Sequence, residues 1–203
     1  KSAPKGTAAS FGAGDAAHSL SQGLVGYWRL DESSGNAADS SGNGYTLTNN
    51  GVTTFVGGKF ANASNHNGTT QYFSTATTIS GVQTVAFWVN PASTTDNYIN
   101  LVSGTYINSS SGVVSATGFT SPSIYVNGVL NGSITASVWN HVAVTTNTAI
   151  SASAFEAGRA NGSYLGNTGK LDEARIYNRA LSPAEVSTLY NWAPGPVGWW
   201  KMD

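Results

Sequence analysis

Six Asn-Gly pairs punctuate the chain, at 43–44, 50–51, 67–68, 127–128, 131–132 and 161–162. Asn and Gly both tolerate positive φ, so the dipeptide marks tight turns between antiparallel strands. Between the pairs lie short runs of β-branched and aromatic residues: Tyr45–Thr48, Gln71–Ser74, Thr84–Val89, Tyr98–Val102, Ser123–Val126, Trp139–Thr145 and Lys170–Tyr177. Many short strands with frequent turns predict an all-β sandwich or jelly roll.

The last of these runs ends differently. After Lys170–Tyr177 the hydrophobic period changes from two to that of a helix. Ser182 is placed as an N-cap, Pro183 takes the first helical position, and Glu185 stands three residues after the cap. Val186, Leu189 and Tyr190 follow at helical spacing, which predicts one short amphipathic helix over 182–192. Within the preceding strand a single acidic residue, Asp172, interrupts a core-like pattern. A buried carboxylate must be paired, hydrogen-bonded or bound to a metal.

The segment Gly169-Lys-Leu-Asp-Glu-Ala-Arg-Ile-Tyr-Asn-Arg-Ala-Leu-Ser-Pro-Ala-Glu-Val186 resembles the closing signature of laminin-G-like domains of the concanavalin A-like superfamily. Asn67–Phe73, Val85–Pro91, Ile124–Gly128 and Trp139–Val144 are similar to further family segments, and together the resemblance spans Gly23 to Trp192. It implies a concanavalin A-like jelly-roll β-sandwich with one short C-terminal helix. It does not by itself imply a function, since that fold carries lectins, adhesins, enzymes and spacers alike.

Residues 1–22 are rich in Ala, Ser and Gly and read as a linker or N-terminal arm; residues 23–192 form the jelly roll. The start of that domain returns at its end. Gly23, Val25, Gly26, Trp28 and Asp31 match Gly195, Val197, Gly198, Trp200 and Asp203 at a constant offset of 172 residues. Residues 193–203 therefore read as a linker and the first strand of a following repeat. Its apolar side chains, Val197, Trp199, Trp200 and Met202, are candidates for self-association through strand pairing, the route to a filament or spacer.

Charged residues make up only 9% of the chain and the formal net charge is −1, which argues against nucleic acid and anionic membranes as partners. No run is long enough to insert in a membrane, and the absence of cysteine excludes disulfides and thiol chemistry. A surface of Ser, Thr, Asn and Gly suits an extracellular or cell-surface protein, of bacterial type.

Asp39, Ser41 and Asn43, with Gly44 following, have the oxygen spacing of the first half of an EF-hand loop, but Asn50 stands where that loop needs a bidentate Glu. Asp172 is the candidate to complete a structural calcium site from another strand, and the family resemblance implies such an ion. The alternative is an Asx turn at Asp39 and a strand aspartate bonded to backbone amides. For catalysis the inventory is poor. The carboxylate triplet of the superfamily's glucanases is absent, Asp172 and Glu173 point to opposite faces, and His18, His66 and His141 share no metal-ligand spacing. Tyr98, Tyr106, Phe119 and Tyr125 fall near strand ends, where they serve either as core or as the floor of a ligand site. The sequence thus reads as a non-catalytic adhesion or carbohydrate/protein-binding module with a glycan or extracellular protein as partner; the other reading is a structural repeat contacting its own copies.

Overall fold

The computed structural model of the chain describes residues 16–192, with side chains from Ser19 onward. The repeated segment carrying Val197, Trp199, Trp200 and Met202 lies outside the described residues.

A short helix, α1 (Ala16–Ser21), within the expected arm precedes β1 (Leu24–Trp28). There follow β2 (Thr48–Asn50), β3 (Thr54–Gly57), β4 (Asn62–Asn65), β5 (Tyr72–Thr75), β6 (Ile79–Asn90) and β7 (Asp96–Val102). The next are β8 (Thr105–Ser110), β9 (Val113–Thr117), β10 (Ser123–Val126), β11 (Val129–Leu130) and β12 (Asn140–Ala152). The chain closes with β13 (Phe155–Ala157), β14 (Arg159–Ala160), β15 (Ser163–Tyr164), β16 (Lys170–Tyr177) and α2 (Pro183–Asn191).

The strands form an eight-stranded sheet in the order β11-β10-β12-β6-β16-β4-β3, with β1 also paired to β16. A six-stranded sheet, β2-β5-β13-β7-β8-β9, packs against it, and β14-β15 form a separate hairpin. All pairings are antiparallel. The main core lies between the two large sheets. Val85, Phe87 and Val89 of β6 and Val142 and Val144 of β12 enter it from one side, with Phe73, Ile99, Ile107 and Phe155 from the other. Trp28 is fully buried and stacks on Phe155 across the gap at 4.8 Å between ring centroids. A Cβ at Gly26 would lie 2.6 Å from the Trp28 ring, so this strand position excludes a side chain.

The outer face of the eight-stranded sheet is buried as well. Ala86, Ala143 and Tyr177 meet Leu181, Val186 and Leu189 of the α2 region, together with Leu20 of α1. Strands β6, β12 and β16 are thus covered on both faces, which is why Leu171–Tyr177 shows no strict alternation. The α2 capping box forms as the sequence predicts. Ser182 Oγ accepts from the Glu185 amide (3.3 Å), and the Ser182 amide donates to Glu185 Oε2 (2.8 Å). Arg179 also donates to Glu185 at 2.7 Å, and that bond chiefly holds the carboxyl well below the usual range. Ser182→Ala is expected to cost about 1 kcal/mol in chemical denaturation. An unchanged midpoint would show that the Arg179–Glu185 pair alone fixes the helix start.

Candidate functional site

The structure does not bring the calcium candidates together. Asp39 pairs with Trp28 on one edge of β1, whereas β16 lies along the other, where Trp28 pairs with Ala174. Asp39 Oδ1 accepts from the amides of Tyr27 (3.0 Å) and Ser41 (2.9 Å); Oδ2 accepts from the Tyr45 amide (3.0 Å) and Ser41 Oγ (2.9 Å). Burial works to raise its pKa, but the amides of Ser41, Tyr27 and Tyr45 prevail and hold it below the ordinary value. Asn43 Nδ2 is turned to the Val25 carbonyl (3.1 Å). This is an Asx-turned loop whose donors already fill the oxygens a cation would need.

Asp172 sits elsewhere, at a fork. On the edge of β16 away from β6, β4 pairs with Lys170–Leu171 and β1 with Ala174–Tyr177. Between them the strand is bulged, with Glu173 at φ 54°. Asp172 Oδ2 accepts from the amides of Lys59 (2.8 Å) and Phe60 (3.0 Å), closing the β3–β4 turn, while the buried Oδ1 has no partner. Burial, with Glu173 and Asp31 nearby, pushes this carboxyl up to about 7 against the pull of the two amides. The early acidic residue that Asp172 senses is therefore Asp31, not Asp39. Among the described residues no group of three His, Cys, Asp or Glu is placed to hold a metal ion. A calcium ion shared by Asp39, Ser41, Asn43 and Asp172 does not fit this arrangement.

Two of the candidate ligand tyrosines are also corrected. Tyr98 is fully buried, its hydroxyl bonded to Ser109 Oγ (2.5 Å) and its ring against Phe87. Tyr125 is buried under α2, and Phe119 belongs to the main core. A bulge between Asn97 and Ile99 lets both Tyr98 and Ile99 face inward, which strand alternation alone would not allow.

Tyr106 is placed differently. Phe73, Ala157, Ile99 and Ile107 form one cross-strand row into the core. By alternation the adjoining row, Ser74–Glu156–Asn100–Tyr106–Thr117, lies on the outer face of the six-stranded sheet. Beside it Arg159 Nη1 donates to Glu156 Oε1 at 3.0 Å. The Arg159 guanidinium carbon lies 5.0 Å from the Tyr72 ring centre and 5.3 Å from that of Tyr164, with the two rings 5.9 Å apart. Burial raises the Glu156 carboxyl despite Arg159, and Arg159 Nε is buried without a partner.

Two clefts flank Glu156. One, of about 250 Å³, runs past Asn100, Ser103, Gly104, Arg159 and the Asn161–Gly162 turn. The other, of about 290 Å³, runs past Ser74, Thr75, Ala76, Ser153 and Phe155. Ala154 and Glu156 line both. The two clefts form one trough with the Glu156 carboxylate between them and the Arg159 guanidinium in the wall of the first; the Tyr72 and Tyr164 rings pack against that guanidinium. Among the described residues Glu156 is the only carboxylate lining the two clefts, and they do not pair it there with a second one as glycoside hydrolysis requires.

Sequence reasoning missed Tyr72, Asn100, Glu156, Arg159 and Tyr164. The available signals were the alternation Tyr72-Phe73-Ser74 and Phe155-Glu156-Ala157, and the Asn161–Gly162 turn, whose positive φ values of 49° and 78° build the β14–β15 hairpin.

With the geometry in place, similarity to known proteins is informative. A laminin-G family model, described as concanavalin A-like lectin/glucanases superfamily, matches residues 112–187. No curated protein matches the chain in sequence. Among solved structures, the binding domain of Paraclostridial Mosquitocidal Protein 1 superposes with a TM-score of 0.58 at 18% identity, covering 85% of this chain and 52% of that one. Domain 4 of AbnA, an extracellular arabinanase from Geobacillus stearothermophilus solved with arabinotriose, gives 0.51 at 20% identity, covering 82% and 98%. The botulinum neurotoxin type G receptor binding domain gives 0.56 at 13%, covering 84% and 51%. This chain thus spans about half the length of those toxin domains. The two-sheet antiparallel fold is shared with these domains, and residues 112–187 match the laminin-G model of the concanavalin A-like superfamily.

Proposed function

We propose that the protein is a non-catalytic binding module that takes a glycan on the outer face of the six-stranded sheet. The observation carrying this reading is the trough lined by Asn100, Glu156 and Arg159, with the Tyr72 and Tyr164 rings packed against Arg159 at its side. A saccharide offers apolar C–H faces and pairs of hydroxyls. Tyrosine rings accept the former, while a guanidinium–carboxylate pair bonds the latter. The similar domains support the reading, since two are named binding domains and a third was solved with arabinotriose. The setting we propose is extracellular or at a bacterial cell surface, within a tandem-repeat protein. Among the described residues no helix is long and apolar enough to cross a membrane.

The reading is tested by a glycan array followed by calorimetry with the best-bound oligosaccharide. Arg159→Ala and Tyr72→Ala are each expected to weaken binding about 10- to 100-fold, the loss of one charge-assisted bond or ring contact. Retained affinity in both variants would move the site away from this face. An array without hits, paired with self-association in light scattering, would favour the structural repeat suggested by the recurrence of Gly23–Asp31 at 195–203.

A further inference from the structure

The start of β1 is constrained at three points. Gly23 has φ +72°, and a Cβ there would meet Asn178 Oδ1 at 2.7 Å. Gly26 leaves room for the Trp28 ring, and Trp28 is fully buried. The sequence repeats all three, as Gly195, Gly198 and Trp200, at one offset of 172 residues. These are the positions that β1 of this fold needs, rather than those of any apolar strand. Extended backwards, the same offset sets Ala16–Ser21, which is α1, against 188–193, whose described part, Thr188–Trp192, is the end of α2 and its cap. Leu20 then corresponds to Trp192.

We infer that the last turn of α2 serves two domains: it closes its own, and in a following copy of this domain in the same chain it occupies the seat that α1 takes here. The seat has room for the exchange. A cavity of about 220 Å³ beside Leu20 and Ser21 is lined by Leu24, Tyr27, Arg175, Tyr177, Leu189 and the domain's own Trp192, so the larger indole of a preceding copy's Trp192 would fill space that Leu20 leaves open. The polar clasp around the seat holds mainly backbone. Arg179 donates from Nε to the Gln22 carbonyl (2.9 Å) and from Nη2 to the Ser19 carbonyl (2.7 Å), carbonyls that Pro194 and Asn191 also carry; Ser19 Oγ donates to Glu185 Oε1, a contact the Asn191 side-chain amide would have to replace. Finally, Trp192 is only half-buried in its own domain, where it meets the Phe60 ring at 6.0 Å and the Arg175 guanidinium at 4.8 Å, leaving indole surface for a neighbour. Consecutive domains would then be joined rigidly through a shared helical turn, independently of any glycan.

The test uses a two-copy chain in which residues 32–192 follow Asp203, so that Asp203 stands in the place of Asp31. The protein has no cysteine, so a cysteine at Val129 of each copy, 61% exposed, carries a spin-label pair. Electron–electron distance measurement is expected to give one narrow distribution, broadened by Trp192→Gly. A broad distribution in the unsubstituted chain, or a narrow one indifferent to Trp192→Gly, overturns the inference. In the single-copy chain, Leu20→Trp is expected to leave Tm unchanged or raise it. A fall of more than about 5 °C, the response to roughly 1–3 kcal/mol of overpacking, would show that the seat does not take an indole.

Discussion

Asp172→Asn is expected to stabilise the protein above pH 7 and to flatten its pH dependence between about 4 and 7. Burial raises this carboxyl from 3.8 to about 7 in the fold. Below 3.8 the folded and unfolded chains both hold the proton, and the site costs nothing. As pH rises from there the unfolded chain releases its proton while the fold retains it, so stability falls. Above 7 both are ionised and the loss levels off. About three pKa units correspond to about 4 kcal/mol for this fully buried group. Asparagine keeps an oxygen for the Lys59 and Phe60 amides and removes the charge. Its amide nitrogen, in the place of the unpartnered Oδ1, gives back about 1–3 kcal/mol if it finds no acceptor. The net gain at pH 8 is therefore about 1–3 kcal/mol, read from urea denaturation, and chelator is expected to leave the parent's Tm unchanged. A destabilised Asp172→Asn with a chelator-sensitive parent would instead show that a cation holds the ionised carboxylate.

Trp28→Ala carries the largest loss. The indole is fully buried, stacks on Phe155 between the sheets, and donates from Nε1 to the Tyr45 carbonyl at 2.7 Å. Removing a buried aromatic of this kind costs about 3–5 kcal/mol, and the stranded carbonyl adds about 1 kcal/mol or more. Against a total of about 5–15 kcal/mol for a folded domain, that lowers Tm by about 10–20 °C. Trp139, half-buried and just before β12, is the control, with a loss of about 1 kcal/mol on truncation. Equal losses at the two positions would mean that Trp28 is not the inter-sheet anchor.

The elements legible in the sequence are those whose signals are local. The strands Lys170–Tyr177 and Ser123–Val126 and the capped helix stand where alternation and capping chemistry put them. Of the Asn-Gly pairs, 127–128 and 161–162 have both residues at positive φ and join adjacent strands, β10 to β11 and β14 to β15. The β8–β9 hairpin escaped notice because its turn is built by Ser111 and Gly112, at φ 49° and 84°, and its strands are rich in Ser, Thr and Asn. Asp172 was legible as a residue needing partners, but Lys59 and Phe60 reach it from more than 100 positions away. The trough is illegible for the same reason. It exists only once β5, β13 and β7 lie side by side, setting Ser74, Glu156 and Asn100 in one row. That register belongs to the sheet, not to any one stretch of chain.

The glycan reading rests on that row, and amide chemical shifts followed through a titration with the best array ligand test it most directly. The predicted result is a contiguous set of saturable shifts at Tyr72, Ser74, Asn100, Tyr106, Glu156, Arg159 and Tyr164, with the amides around α2 unmoved. Shifts confined to the α1–α2 side of the eight-stranded sheet, or none with any glycan on the array, would contradict it.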